Sequence, residues 1–131
     1  NYRCGTGHSV SFVGNVHEGP HALNGRNTTL MRPGMIVTDE PGVYETDLVG
    51  IRIENELVCV HKADNQYGTF LGFEPIMFVP IATSPIVPGV LTKDERDWLN
   101  NYHRQVFEKL APRLNDEERE WLAKKCAAIG C

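Results

Sequence analysis

No stretch of this chain is apolar for long. Its longest apolar runs, such as Phe78 to Ile81, fall far short of the roughly 20 residues that a bilayer-spanning helix needs. A membrane partner is not expected. Basic clusters are lacking too: Lys and Arg are scattered, and the formal charge is -4. A phosphate backbone needs a concentrated positive face, so nucleic acid is not an expected partner. Cysteine is sparse. Cys4, Cys59, Cys126 and Cys131 are far apart and show no C-x-x-C spacing, which excludes a small disulfide-stapled scaffold. Free thiols in a reducing, cytoplasmic compartment are the expectation. Internal repeats and low-complexity segments are absent as well.

What remains is an ordinary globular composition. With 131 residues, 41% of them hydrophobic and 23% charged, the chain is large enough to bury a real core. It starts at Asn1 and enters at once a glycine-rich, motif-dense stretch, which reads as a piece of a longer polypeptide.

The first half is rich in Gly, His and short β-type runs; residues 91–131 are rich in Leu, Lys, Glu and Trp at helical spacing. Strands first and helices second predict an α+β arrangement with antiparallel or mixed strands. Strands are expected over Met35 to Asp39, Ile51 to Val60 and Phe70 to Pro80, each bounded by Gly or Pro. Alternation in the middle one places Arg52, Glu54 and Glu56 on one face. Thr92-Lys93-Asp94-Glu95 reads as a capping box opening a helix with an apolar stripe of Trp98, Leu99, Tyr102, Val106 and Leu110, stopped by Pro112. Asn115-Asp116-Glu117-Glu118 opens a second, with Trp121, Leu122, Cys126 and Ile129 as its stripe and Gly130 as C-cap. Both tryptophans read as core anchors. A boundary is expected after Pro80, with 1–80 carrying the chemistry and 81–131 a helical extension packed on it.

His8, His17, Glu40 and Glu54 are all competent ligands for a hard or borderline divalent metal. Glu40 runs directly into Pro41-Gly42, a rigid turn that suits a ligand, and Gly5-Thr6-Gly7 permits close backbone approach before His8. Each has an ordinary structural reading beside it. A lone histidine is more often a satisfied core group, and Glu54 beside Arg52 could be a surface ion pair. Spacing alone leaves a metal site and a polar structural cluster equally open. His21, His61 and His103 are expected to be structural or solvent-facing, and Tyr44 to Asp47 a solvated polar loop.

The successive segments Cys4 to His8, Asn15 to Pro20, Pro33 to Gly42 and Gly50 to Asn55 resemble the active-site motifs of Xaa-Pro aminopeptidases, the aminopeptidase P group of the M24 metallopeptidases. The likeness continues through Phe73-Glu74-Pro75 and Trp98-Leu99-Asn100 to Trp121-Leu122, and covers effectively the whole chain. It implies the C-terminal half of a pita-bread catalytic domain, with a curved mixed or antiparallel sheet and C-terminal helices. It implies that His8, Glu40 and Glu54 are metal ligands, with Glu54 bridging two ions and Glu40 also moving a proton. His17 is implied to bind substrate and steady the tetrahedral intermediate, Arg52 to line the substrate pocket, and Cys4 to stand where a pocket-forming histidine is usual.

The activity implied is hydrolysis of an N-terminal Xaa-Pro bond by a hydroxide bridging two divalent ions, manganese first, with cobalt and zinc left open. The partner implied is a peptide with proline at its second position, and the longer protein is implied to be a homodimer. Two further aspartate ligands of the family lie upstream of the glycine-histidine motif, so the chain by itself is expected to be inactive. A prolidase acting on Xaa-Pro dipeptides and a peptide-binding module without turnover are the alternatives.

Overall fold

The structure, a computed structural model, describes residues 4–130. They divide between Met77 and Phe78 into two compact units.

The first unit is built from strands β1 (His8–Ser9), β2 (Glu18–Ala22), β3 (Ile36–Asp39), β4 (Gly42–Glu45), β5 (Val49–Arg52), β6 (Asn55–Asn65) and β7 (Gly68–Pro75). Five of them form one sheet in the order β2-β1-β3-β6-β7, and β4 and β5 form a separate hairpin. Every pairing is antiparallel. β6 and β7 are joined through Gln66-Tyr67, with Gly68 at φ +133°, a conformation that costs glycine little. The centre of the sheet is its buried part: Val37 on β3 and Cys59 on β6 are almost wholly inaccessible.

The expected strand from Ile51 to Val60 is two strands in two sheets. β3 pairs with β6 up to Asp39 opposite Asn55, and the ladder resumes between β4 and β5 with Gly42 opposite Arg52. Between these pairs, Glu40 and Pro41 run against Ile53 and Glu54. Pro41 has no N–H to give, and the Glu40 N–H turns instead to the Thr6 carbonyl at 2.6 Å. One link across the break runs from the Ile53 N–H to the Pro41 carbonyl, 3.3 Å. Arg52 and Glu56 therefore belong to different strands and do not share one strand face.

The second unit holds α1 (Lys93–Leu110) and α2 (Asp116–Lys125). Both open on the expected capping boxes: the Thr92 and Asn115 side chains accept from the Glu95 and Glu118 N–H groups, and those glutamates reach back to the cap N–H. Tyr102, Val106 and Leu122 form the core, packed by Phe78, Ile81, Phe107, Leu110, Leu114 and Cys126. Each such burial is worth about 1.5–3 kcal/mol.

The tryptophans are not core anchors, since Trp98 is 59% and Trp121 56% exposed. The buried face of α1 runs through Leu99, Tyr102, His103 and Val106, and Trp98 stands one residue off that period, stacked on Tyr102 at 5.8 Å. Trp121 precedes buried Leu122 in the same way and carries the Lys125 ammonium over its ring. Gly130 does not cap α2, which ends at Lys125 with Cys126 as cap. Ile129 is instead held by both ends of the Asn100 carboxamide, at 2.9 and 3.2 Å. No helix among the described residues is long and apolar enough to cross a membrane. Cys4, Cys59 and Cys126 carry free thiols, and Cys131 lies outside the described residues.

Candidate metal and peptide site

His8 enters the site because the chain before it lies flat against β3. A Cβ on Gly7 would fall 1.9 Å from the Thr38 carbonyl oxygen, so only glycine permits this approach. The close contact lets the His8 N–H donate to the Thr38 hydroxyl at 3.0 Å. His8 Nδ1 lies 3.0 Å from the Ser9 carbonyl and Nε2 lies 2.9 Å from Glu40 Oε1, so each ring nitrogen faces an acceptor and a neutral ring donates to one of the two. In the tautomer that gives its hydrogen to Ser9, Nε2 is the bare nitrogen through which an imidazole ligates a metal.

Glu40 is buried, 8% exposed, at the point where the ladder breaks. Its Oε1 takes both His8 Nε2 and the Thr38 hydroxyl, 3.0 Å away, and its Oε2 takes an ion pair from Arg52 Nη1. A buried carboxylate needs such partners, since an unpaired charge in this position would be strongly disfavoured. Arg52 is fixed in turn: Nε donates to the Tyr44 hydroxyl at 2.7 Å, and the guanidinium lies 5.6 Å from that ring. Its proton is held more tightly than usual, chiefly by the Tyr44 hydrogen bond and further by the Glu40 charge, with burial opposing. Tyr44 is thus part of a strand and of the site, not of a solvated loop. The loop is confined to Thr46, Asp47 and Leu48, with Asp47 at φ 57°.

His17 completes the group, its ring centroid 4.1 Å from that of His8. The four side chains, with Gly5, Gly7, Ala22 and Asn24, line one cavity of about 350 Å³. Glu54 and Cys4 are both exposed and stand outside that lining. Carrying the register of the two flanking ladders through the break sets Glu54 across from Glu40. Among the described residues no three His, Cys, Asp or Glu side chains gather closely enough to hold an ion. The pair His8–Glu40 is assembled, with Arg52 on the other oxygen of the Glu40 carboxylate.

Of the histidines read as structural, His21 Nε2 bonds the Ile36 carbonyl at 2.7 Å and exposed His61 pairs with Asp64. His103 is fully buried and accepts from the Ile81 N–H at 3.1 Å. Sequence reasoning missed Thr38 and Tyr44. Thr38 meets Glu40 as its second neighbour along the segment, and the β4–β5 register sets Tyr44 against Arg52.

The donors present suit a hard or borderline divalent cation. One imidazole beside a buried carboxylate, and a second carboxylate across the strand break, is an oxygen-rich set with no thiolate.

Comparison with known proteins gives a consistent picture. Residues 1–61 match the profile of "Metallopeptidase family M24", and residues 69–129 that of the "C-terminal region of peptidase_M24". A probable Xaa-Pro aminopeptidase P of Coprinopsis cinerea is 42% identical over 98% of this chain and 22% of its own length. Aminopeptidase P2 of Arabidopsis thaliana is 47% identical over 92% of this chain and 18% of its own. The crystal structure of an X-prolyl aminopeptidase from Caenorhabditis elegans, described as a cytosolic enzyme with a di-nuclear active site, superposes with a TM-score of 0.81 at 39% identity. That superposition covers 95% of this chain and 21% of the other. The chain spans about a fifth of the length of the curated relatives it matches.

Proposed function

Because the chain belongs to metallopeptidase family M24, we propose that it carries part of the active site of an aminopeptidase that cleaves the N-terminal Xaa-Pro bond of peptides. Its fold is α+β, the C-terminal half of that family's pita-bread architecture. The observation that carries the reading is the convergence of His8, His17, Glu40 and Arg52 on one cavity, with His8 Nε2 set 2.9 Å from the Glu40 carboxylate.

In this reading His8 through Nε2, Glu40 and Glu54 hold a pair of divalent cations together with carboxylates from outside the chain. Bound there, the cations supply Lewis acidity for the scissile carbonyl and acidify a water to a nucleophile at neutral pH. Manganese fits the oxygen-rich donors best, with cobalt and zinc as the other choices.

The chain's own side chains do the rest. Glu40 takes the proton released by the attacking water and returns it to the departing proline nitrogen. His17, exposed at the cavity wall, donates a hydrogen bond where negative charge develops on the carbonyl oxygen. Arg52 holds Glu40 in place and lines the channel for the peptide. Cys4 approaches the peptide from the cavity's edge. The 131 residues alone bind metal weakly and turn nothing over, in keeping with a ligand pair instead of a trio among the described residues. In the same reading the longer protein is a homodimer, and it is cytoplasmic, as the Caenorhabditis elegans neighbour is described as cytosolic.

The test is hydrolysis of an Xaa-Pro-Xaa tripeptide by the longer polypeptide that includes this chain, loaded with manganese. Release of the N-terminal residue, reduced about 10²–10⁴-fold by Glu40→Gln and about 10²–10³-fold by His17→Ala, supports the reading. Cleavage of Xaa-Pro dipeptides alone would turn it into a prolidase, and no cleavage of any proline peptide would sink it.

A further inference from the structure

We propose that Thr38 is the positioning residue that aims the Glu40 carboxylate at His8, through a hydroxyl that ties the two segments bearing these groups together. The inference rests on the metal-site reading given above.

Thr38 is 2% exposed, and its hydroxyl sits between His8 on β1 and Glu40, two residues further along its own segment. It accepts from the His8 N–H at 3.0 Å and donates to Glu40 Oε1 at 3.0 Å, the His8 carbonyl at 3.5 Å being the more distant acceptor. A hydroxyl has one hydrogen and two lone pairs, so both contacts can be made at once and in only one sense. The N–H can only donate and the carboxylate can only accept. The hydroxyl hydrogen is therefore committed to Glu40, and a lone pair to His8.

That commitment has a consequence for the carboxylate. A glutamate side chain has a broad terminal torsion and would otherwise sweep its oxygens about Cγ–Cδ. Thr38 on Oε1 and Arg52 on Oε2 pin both oxygens, and the rotation that remains allowed is the one that turns Oε1 to His8 Nε2, 2.9 Å away. Gly7 makes this possible, because its missing Cβ leaves room for the Thr38 backbone that carries the hydroxyl to His8. Valine has nearly the same shape, yet it would leave the His8 N–H without an acceptor and Oε1 without its donor. Outer-sphere partners of metal ligands are worth about 10- to 100-fold in metal affinity, and Thr38 falls in that class.

The experiment compares Thr38→Val, Thr38→Ser and Glu40→Gln with the unsubstituted protein, all in the longer polypeptide that includes this chain, by hydrogen exchange at the His8 amide and by Mn²⁺ titration calorimetry. Thr38→Ala replaces Thr38→Val if the latter does not fold. The expected result is faster exchange at the His8 amide and about 10- to 100-fold weaker Mn²⁺ binding in Thr38→Val, both restored by Thr38→Ser. Weaker binding in Glu40→Gln but not in Thr38→Val would overturn the positioning role and leave the metal reading intact. Mn²⁺ binding that ignores Glu40→Gln would overturn the metal reading, and with it this role. Unchanged His8 exchange in Thr38→Val would overturn it at any metal affinity.

Discussion

The Tyr44 hydroxyl accepts a hydrogen bond from Arg52 Nε at 2.7 Å, across a hairpin whose face is left bare by two glycines. Tyr44 stands opposite Gly50, and Gly42 stands opposite Arg52, so all four residues share one face of the β4–β5 ribbon. A Cβ on Gly42 would meet the Tyr44 hydroxyl at 2.6 Å and the Ile51 carbonyl at 2.9 Å; one on Gly50 would meet the Tyr44 ring at 3.1 Å. The glycines make the bed in which the ring lies flat enough to reach the guanidinium that holds Glu40.

This geometry predicts a coupling. Gly50→Ala displaces the ring and destabilises the chain by about 1 kcal/mol, and that cost vanishes in the presence of Tyr44→Ala. Gly42→Ala costs about 1–3 kcal/mol and keeps part of its cost with Tyr44→Ala, because the Ile51 carbonyl remains in the way. A double-mutant cycle by chemical denaturation separates the two. Additive effects for Gly50 and Tyr44 would show that the ring does not depend on the glycine.

His103 sets an acid limit on the helical unit. Burial pushes its imidazole below the ordinary value of 6.5. The Ile81 N–H needs a bare Nε2, which favours the neutral ring as well. Above about pH 6.5 both folded and unfolded forms are neutral and stability is complete. As pH falls below that value the unfolded chain binds the proton first, so stability falls until the depressed folded pKa is reached. The carboxylates that are lowered act later: Glu95 by its Thr92 cap, Asp97 by Lys93 and Asp64 by Thr69 lose their contributions only below about 4.5 or 3.8. Thermal melts followed at 222 nm should show a loss between pH 6.5 and 5 that flattens in His103→Gln, which can accept from Ile81 without titrating. An unchanged slope would assign the loss elsewhere.

Much of the helical unit was legible because its signals are local. A capping box spans four residues, and the Leu99–Tyr102–Val106 period is read along one helix. Trp98 and Trp121 were misread as core anchors because a large apolar residue one position off the buried face reads like its neighbour. In the sheet, residue chemistry marked His8 and Glu40, but not the contacts that hold them. Thr38 looks like any strand threonine and Tyr44 like a turn residue until strand pairing sets them beside His8 and Arg52. The matching break at Ile53-Glu54 was missed: only Asn55 interrupts the alternation of the Ile51–Val60 run, and one polar residue does not by itself divide a strand.

The caps themselves give a modest, checkable increment. Thr92→Ala and Asn115→Ala each remove the acceptor for an N3 amide and should cost about 1 kcal/mol, read as a lower melting temperature at 222 nm. Thr92→Ser and Asn115→Asp should recover most of it. A loss under about 0.3 kcal/mol for both alanine variants would mean that tertiary packing, not capping, fixes these helix starts.

Gly7→Ala is the most severe single change the sheet unit allows. Its Cβ would fall 1.9 Å from the Thr38 carbonyl oxygen and 2.9 Å from the Thr38 carbonyl carbon, backbone atoms that cannot swing aside as a side chain could. The lead into β1 must therefore lift away from β3. The same movement pulls His8 from the Thr38 hydroxyl and Nε2 from Glu40, so one methyl group should both destabilise the sheet unit by about 3 kcal/mol or more and uncouple the candidate ligands. Gly5→Ala, whose Cβ meets nothing within 4 Å, should be nearly silent by the same two measures. Denaturant unfolding and His8 imidazole nitrogen shifts report them separately: Gly7→Ala should move both. If stability falls while the His8 shifts stay unchanged, the imidazole is held by Ser9 and Glu40 alone, and the close approach at Gly7 serves the sheet and not the site.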